Sequence, residues 1–275
     1  MAEVTNLEKI TRIVNANTEI QILKELMHAP DKLMAKEAMF ELARRVKWVN
    51  VPKSLITGKY SNKYDYFDPN MKYYVCSYGG AGSTMLCEYL NHFGTTYHIH
   101  SRNPPQKLTE VGKKKDDDGN SVGSVVWFND TVIPDSELHN YKIIYIYRNP
   151  IESIFSRFIT GPYKKINMNH LDNIEAAHWN MERIVANEMD LYKLEEFFYN
   201  YVNPNNRNYK IICLNYDKFW NNIETINDIL NIPNLPEFYP VRKETEKQYP
   251  HLDVFTRIYG ALIKKMDNMD PIYIS

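Results

Sequence analysis

The residues with the clearest chemical potential form a glycine-rich turn between an apolar run and a helical pattern. Residues 73–77 predict a strand, and residues 83–93 predict a helix. Glycines let backbone N–H groups point inward, and the positive end of the helix points at the same place. A tight strand-to-helix turn also requires glycine when no ligand is bound. The prediction is an anion site formed by Gly79, Gly80, Ala81, Gly82, Ser83 and Thr84.

The anion predicted at this turn is not the triphosphate of ATP. The phosphate loop of ATPases reads G-x-x-x-x-G-K-[ST], and its lysine reaches the β- and γ-phosphates. In this chain Ser83 follows Gly82, and Ser77 stands at the position of the first glycine. The turn therefore disfavours ATP hydrolysis.

A second candidate site follows the strand predicted at residues 142–147. The chain continues as Arg148-Asn149-Pro150, and proline suits the first turn of a helix. Arg148 at the strand end and Ser156, two turns into the helix, can converge on one further phosphate. The alternative is an arginine that closes the strand end with a salt bridge.

Two histidines end another predicted strand, residues 96–100, and Arg102 follows it two residues later. Alternation places His98 and His100 on one face, at the carboxyl end of the strand where α/β sheets bind ligands. His100 is the predicted general base, since histidine titrates near neutrality. Arg102 is a candidate cation at the mouth of the site, although two satisfied histidines and a capping arginine remain the alternative. The His-x-His pair lacks an evident third ligand, so no metal is predicted.

Short β-rich runs alternate with helical patterns from residue 72 onward. They predict an α/β fold with a mostly parallel sheet of about five strands, flanked by helices. The predicted strands are residues 73–77, 96–100, 122–128, 142–147 and 210–215. The predicted helices are residues 83–93, 150–159, 171–201, 218–230 and 252–266.

Two segments lie outside this pattern. Residues 1–70 predict an N-terminal helical extension with a connector, which leaves residues 71–275 as the α/β domain. Residues 112–120, GKKKDDDGN, predict a solvated loop, with a mobile loop over the acceptor site as the alternative.

The composition argues against several classes of protein. The 275 residues carry 33 Lys and Arg against 34 Asp and Glu, whereas non-specific nucleic-acid binders carry a basic excess. Three cysteines do not make a disulfide framework and suit a reducing compartment. No apolar run approaches the roughly 18 residues that cross a bilayer, and no signal-peptide core is evident. We expect a cytoplasmic protein without nucleic-acid or membrane partners.

Taken together, the motifs resemble those of the sulfotransferases that use 3′-phosphoadenosine 5′-phosphosulfate (PAPS). The family's loop, approximately S-[FY]-P-K-S-G-T-T-W-L, aligns with residues 77–86. Its R-N-P motif, with a serine eight residues after the arginine, matches Arg148 and Ser156. The pair Tyr216-Asp217 is similar to an element that lies near the adenine in the family. Arg242-Lys243 is similar to a basic cluster that helps to hold the 3′-phosphate.

The chain departs from the family pattern at three positions. Gly80 stands where the family has a lysine or arginine that neutralises charge on the departing phosphate. Met85 stands where an aromatic side chain stacks on the adenine. The family's general base often lies on the strand before the second motif, and in that register only Asp130 could serve.

The resemblance implies a P-loop NTPase-like sulfotransferase fold and a PAPS-dependent enzyme that requires no metal. The glycine-rich turn would bind the 5′-phosphosulfate, and Arg148 with Ser156 the 3′-phosphate. The acceptor would be a hydroxyl or amine of a small molecule or glycan. Gly80 keeps open a catalytically inactive nucleotide-binding module, and a nucleotide kinase is the third alternative.

Overall fold

The computed structural model describes residues 66–115, 121–159, 181–242 and 249–275. The chain divides into two compact units, residues 1–65 and Tyr66–Ser275. The predicted N-terminal helices fall outside the described residues.

The second unit is built on a mixed β-sheet, and its described residues supply seven strands in the order β3-β4-β2-β1-β5-β6-β7. The strands are β1 Lys72–Cys76, β2 Thr95–Ile99, β3 Thr109–Lys115, β4 Ser121–Val132, β5 Tyr141–Tyr147, β6 Ile211–Asn215 and β7 Ile272–Ile274. Strands β4, β2, β1, β5 and β6 pair in parallel, whereas β3 pairs antiparallel with β4 and β7 with β6.

Helices cover both faces of this sheet. They are α1 Ser83–Leu90, α2 Pro150–Ile154, α3 Met181–Asn187, α4 Leu194–Val202, α5 Tyr216–Phe219, α6 Ile223–Leu230 and α7 Leu252–Asn268. A π-helical turn, Phe155–Ile159, continues α2, and two 3₁₀ turns lie at Asp135–Asn140 and Pro236–Phe238. The predicted α/β class is confirmed.

Strand β1 shows why the sheet lies in the middle of this unit. Its side chains alternate between two buried clusters, with Tyr74 and Cys76 on one face and Tyr73 and Val75 on the other. The first cluster includes side chains from α2, α4 and α7, and the second includes side chains from α1 and α6. Burying one large aliphatic side chain contributes about 1.5–3 kcal/mol. A strand buried on both faces is typical of a parallel sheet.

The structure corrects three details of the prediction. The segment 112–120 is not all loop, because residues 112–115 belong to β3 and pair with β4. The helix predicted over 171–201 is interrupted between α3 and α4, where Glu188 and Lys193 have φ values of +50° and +54°. The sheet is mixed, because the edge strands β3 and β7 pair antiparallel with their neighbours. The sequence pattern predicts neither of these two strands.

The carboxylate of Asp190 binds the first turn of α4 after this interruption. The oxygens of Asp190 accept hydrogen bonds from the backbone N–H groups of Leu194 and Glu195, at 3.1 and 2.8 Å. The N–H groups of a first helical turn have no acceptor within the helix, so a side-chain oxygen at this place stabilises a helix start. None of the helices within the described ranges is both long enough and apolar enough to cross a membrane.

Candidate functional site

The glycine loop, residues 77–82, follows the carboxyl end of β1, where the order of the strands reverses. From β1 the chain builds β2 and β4 on one side and then β5 and β6 on the other side. Ligands of open α/β sheets bind outside the carboxyl ends of strands at such a reversal. The glycine loop and Arg148, just after β5, therefore flank the crevice that topology favours.

The backbone of the glycine loop is left-handed at three positions. Gly79, Gly80 and Gly82 have φ values of +110°, +70° and +81°, which glycine adopts without a steric penalty. Their N–H groups donate to no acceptor in the described part of the chain. Helix α1 begins immediately after Gly82, so its positive end faces the same region. These are the groups that an anion would bind.

Side chains from other elements close around the loop. A Cβ on Gly79 would lie 1.3 Å from Nη1 of Arg157, and a Cβ on Gly82 would lie 2.3 Å from the ring of Tyr216. A Cβ on Gly80 would lie 2.5 Å from the carbonyl oxygen of Ser153. A Cβ on Gly80 would meet backbone, whereas a Cβ on Gly79 or Gly82 would have to displace a side chain. All three positions favour glycine through their backbone angles.

The guanidinium against Gly79 belongs to Arg157, which is not among the site residues that the sequence motifs predict. Arg157 lies on the π-helical turn and is only 8% exposed. Burial raises the pKa of the Tyr78 hydroxyl well above its usual value, Asp190 adds to that rise, and the charge of Arg157 opposes it. A buried positive charge therefore lies beside the glycine loop.

The two histidines lie together beside the loop, as alternation predicts. The ring centroids of His98 and His100 are 4.3 Å apart. Nε2 of His98 lies 2.7 Å from Oγ of Ser83, which also accepts a hydrogen bond from Ser77 at 2.8 Å. This hydrogen-bonded chain ties the end of β2 to the first residue of α1.

The environment of His100 defines which nitrogen can take a proton. Its Nδ1 lies 2.8 Å from the carbonyl oxygen of Ser77. A carbonyl oxygen only accepts, so Nδ1 carries the hydrogen, and in the neutral ring Nε2 is the basic nitrogen.

Arg148, on the other side of the crevice, is held by two carboxylates. Its Nη2 lies 3.1 Å from Oε2 of Glu152, and its Nε lies 3.3 Å from Oδ1 of Asp217. Its guanidinium also lies 4.7 Å from the centroid of the Tyr216 ring, a cation–π contact. The salt-bridge alternative for Arg148 is thus present in the structure. Tyr249 donates a short hydrogen bond to the other oxygen of Glu152.

The helix after Arg148 begins as the sequence predicts. Asn149 is the N-cap, and its side-chain oxygen accepts from the N–H of Ile151 at 3.0 Å. Pro150 occupies the first helical turn. Ser156, the predicted phosphate partner of Arg148, is half-buried, and its side chain makes no hydrogen bond within the described ranges.

The remaining predicted site residues are not gathered at the loop. Arg102 pairs with Glu196 of α4 at 3.6 Å, and Asp130 is exposed on β4, where it accepts a hydrogen bond from Thr131. Arg242 is exposed, and Lys243 falls outside the described residues. Arg102 therefore contacts α4 in this structure.

Comparisons of this chain with protein-family models, curated proteins and solved structures found no match. Within the described ranges, no group of three His, Cys, Asp or Glu side chains is arranged to hold a metal ion. The arrangement can bind an anion through the glycine loop and can accept a proton on His100.

Proposed function

We propose that this chain binds PAPS at the glycine loop and transfers its sulfuryl group to a hydroxyl or amine acceptor. The observation that carries the proposal is the loop itself, where the N–H groups of Gly79, Gly80 and Gly82 have no acceptor in the described structure at the strand-order reversal. The loop lacks the lysine that a γ-phosphate requires, which favours a phosphosulfate. A P-loop NTPase-like sulfotransferase fold is part of this proposal.

The proposed reaction is an in-line displacement at sulfur. The acceptor oxygen or nitrogen attacks the sulfur atom, while the bond from sulfur to the 5′-phosphate oxygen breaks. The acceptor proton passes to Nε2 of His100, and the phosphate oxygen keeps the electron pair of the broken bond. The products are the sulfated acceptor and 3′-phosphoadenosine 5′-phosphate (PAP). Loop N–H groups and the start of α1 stabilise the charge that develops on the leaving phosphate.

Arg148 and Tyr216 would hold the rest of the nucleotide. Both lie at the carboxyl ends of neighbouring strands, β5 and β6, on the side of the loop opposite His100. Tyr216 also packs against Gly82. The small-molecule or glycan acceptor would then approach from the side of His100.

A catalytically inactive nucleotide-binding module is the second candidate. Gly80 favours it, because a Cβ at this position would lie 2.5 Å from the Ser153 carbonyl oxygen. The loop position where the family has a basic residue has no room for any side chain. The two candidates share nucleotide binding and differ in PAPS turnover.

The experiment is thermal unfolding with PAP, with 5′-AMP, and with ATP plus Mg²⁺. A ligand at 100 times its dissociation constant adds about 2.7 kcal/mol, a shift of roughly several degrees. We expect PAP to give the largest shift. A shift with ATP and Mg²⁺ alone would support the kinase alternative, and no shift with any nucleotide would exclude a nucleotide site at the loop.

A further inference from the structure

We propose that Arg157 is the cation that binds the 5′-phosphate or phosphosulfate held by the glycine loop. This inference rests on the proposed function and names the residue that supplies the positive charge. A cation beside the loop would add to the N–H groups and the start of α1 in stabilising the negative charge that develops on a departing phosphate. The loop cannot supply it, since Gly80 faces the Ser153 carbonyl oxygen.

The first argument is the position of the guanidinium. Nη1 of Arg157 lies 1.3 Å from where a Cβ on Gly79 would be, so the guanidinium occupies the space that a side chain of the loop would fill. Arginine presents a planar fork of donors that matches the oxygens of a phosphate or sulfate. Its position against Gly79 brings this fork beside the loop N–H groups.

The second argument is the helical segment that places Arg157 against the loop. Ser153 and Arg157 are four residues apart, and both approach the loop, one at Gly80 and the other at Gly79. Between them α2 gives way to the π-helical turn Phe155–Ile159. Such turns are rare, and they occur frequently at functional sites. Ile154 and Phe155, each 0% exposed, anchor this segment in the core.

The third argument comes from the other arginines near the crevice. Arg148 is held between Glu152 and Asp217, and Arg102 is paired with Glu196. Arg157 is the more deeply buried cation, at 8% exposure, and a buried charge acts on an anion through a lower effective dielectric.

The test compares the binding of three probes, 5′-AMP, PAP and inorganic pyrophosphate, by isothermal titration. Arg157→Gln should weaken the binding of 5′-AMP and PAP by the same factor, about 10- to 100-fold, because both carry the 5′-phosphate. Arg157→Lys keeps the charge without the fork and should give an intermediate loss. Thermal unfolding without ligand will show whether Arg157→Gln folds. If it does not fold, the affinities of Arg157→Lys provide the test.

Two variants serve as controls. Arg257→Gln removes an exposed guanidinium on α7 that pairs with Glu188, and it should leave the affinity for every probe unchanged. Arg148→Gln should weaken PAP binding and spare 5′-AMP, because only PAP carries the 3′-phosphate. An Arg157→Gln variant that folds and binds 5′-AMP within about twofold of the unmodified protein would overturn the inference.

The pyrophosphate arm separates this inference from the proposed function. If the unmodified protein binds pyrophosphate but not PAP, and Arg157→Gln loses pyrophosphate, the sulfotransferase proposal fails while the anion site stands. If PAP binds and Arg157→Gln leaves its affinity unchanged, the proposed function stands and the role of Arg157 is overturned. Binding of none of the three probes overturns both.

Discussion

At the scale of single residues, Arg148 is already paired with two carboxylates. Glu152 and Asp217 contact its guanidinium from two sides, and Tyr216 lies against its face. Two carboxylates around one arginine leave an excess negative charge at this corner. A nucleotide 3′-phosphate would have to displace at least one of the carboxylates before it could pair with Arg148.

Replacing Glu152 should therefore improve binding of the bisphosphate. Glu152→Gln keeps the size of the side chain and removes the charge that competes with a 3′-phosphate for Arg148. We expect PAP to bind about two- to fivefold more tightly, in line with the energy of partly exposed ion pairs. Binding of 5′-AMP, which lacks the 3′-phosphate, should change less. Titration calorimetry on the variant and the unmodified protein measures both.

Glu196→Gln is the matched control, because it removes the carboxylate that pairs with Arg102 on α4. Its affinity for PAP should equal that of the unmodified protein. Weaker PAP binding in Glu152→Gln would show that Glu152 orients Arg148 toward the phosphate rather than competing with it.

His100 makes a separate prediction about catalysis. His100→Gln should leave PAP affinity unchanged, since Nδ1 of His100 is engaged with the Ser77 carbonyl oxygen and not with the loop N–H groups. Sulfuryl transfer should fall by about 10²- to 10⁴-fold, the contribution typical of a general base. The measurement is PAP release from PAPS with any hydroxyl or amine acceptor that supports turnover.

His139→Gln, in the exposed 3₁₀ turn Asp135–Asn140, is the control for that loss. Its turnover should match that of the unmodified protein. Full turnover in His100→Gln would assign the base to another residue and leave the nucleotide site unaffected.

At the scale of elements, glycines serve two different purposes in this chain. Gly82 joins the glycine loop to α1 with a φ of +81° and lies against the ring of Tyr216. Gly260 lies inside α7, and a Cβ there would meet nothing within 4 Å. The first glycine is required by geometry, whereas the second only adds conformational freedom to the unfolded chain.

Alanine at these two positions should change stability in opposite directions. Gly260→Ala should raise the free energy of unfolding by about 0.5–1 kcal/mol, because alanine is the better helix former. Gly82→Ala should lower it by about 1–3 kcal/mol, since a left-handed residue then carries a Cβ against a packed ring. Urea unfolding measures both values, and equal effects would contradict this assignment.

The sequence predicts the central elements because their signals are local. The apolar run of β1, the glycines after it and the Asn149-Pro150 start of α2 each specify structure within a few residues. The sequence predicts a loop over residues 112–115 of β3, because Lys113 and its neighbours look solvated until their pairing with β4 is known. The short edge strand β7 has too few residues to form a pattern.

The contacts of the site could not be predicted in the same way. Arg157 meets Gly79 only because α2 and its π-helical turn lie against the glycine loop, and Arg148 meets Asp217 only because β5 pairs with β6. Such pairs join residues far apart in the chain and leave no periodic signal. The one local sign that Arg157 could lie near the site is its position directly after Ser156 of the predicted 3′-phosphate motif.

At the scale of the whole molecule, a polar network lies at the amino ends of the strands, away from the glycine loop. Lys72 and Tyr141 begin β1 and β5, and both contact Glu110 of β3, at 3.2 and 3.0 Å. Tyr74 also donates to Glu110, at 3.2 Å. The network ties an edge strand to two central strands.

This network makes stability depend on pH. Burial acts to raise the pKa of Glu110, but hydrogen bonds from Tyr141, Lys72 and Tyr74 and the charge of Lys72 outweigh it, so the pKa is lowered. A lowered folded-state pKa gives stability that is present above the unfolded pKa and lost as pH falls through the folded pKa. The unfolding free energy should therefore decline on acidification below about pH 4.5.

The Glu110→Gln variant isolates this contribution. It should be less stable than the unmodified protein near neutrality, and the difference should shrink as the pH falls through the folded pKa of Glu110. Urea unfolding at several pH values measures it. Glu137→Gln, on an exposed 3₁₀ turn, is the control and should show no such convergence. If the difference in unfolding free energy between Glu110→Gln and the unmodified protein stayed constant across the pH range, Glu110 would not contribute to the loss of stability in acid.

The pairing of β1 with β5 has a kinetic consequence. The residues in register, such as Lys72 and Tyr141, are joined by the whole of α1, β2, β3 and β4, so the crevice between these strands requires long-range contacts. Contacts of this kind form slowly, because a long loop must be closed before they are gained. A ligand of the glycine loop then has little to bind until folding is nearly complete. Such a ligand should lengthen the lifetime of the native state while leaving the rate of folding unchanged.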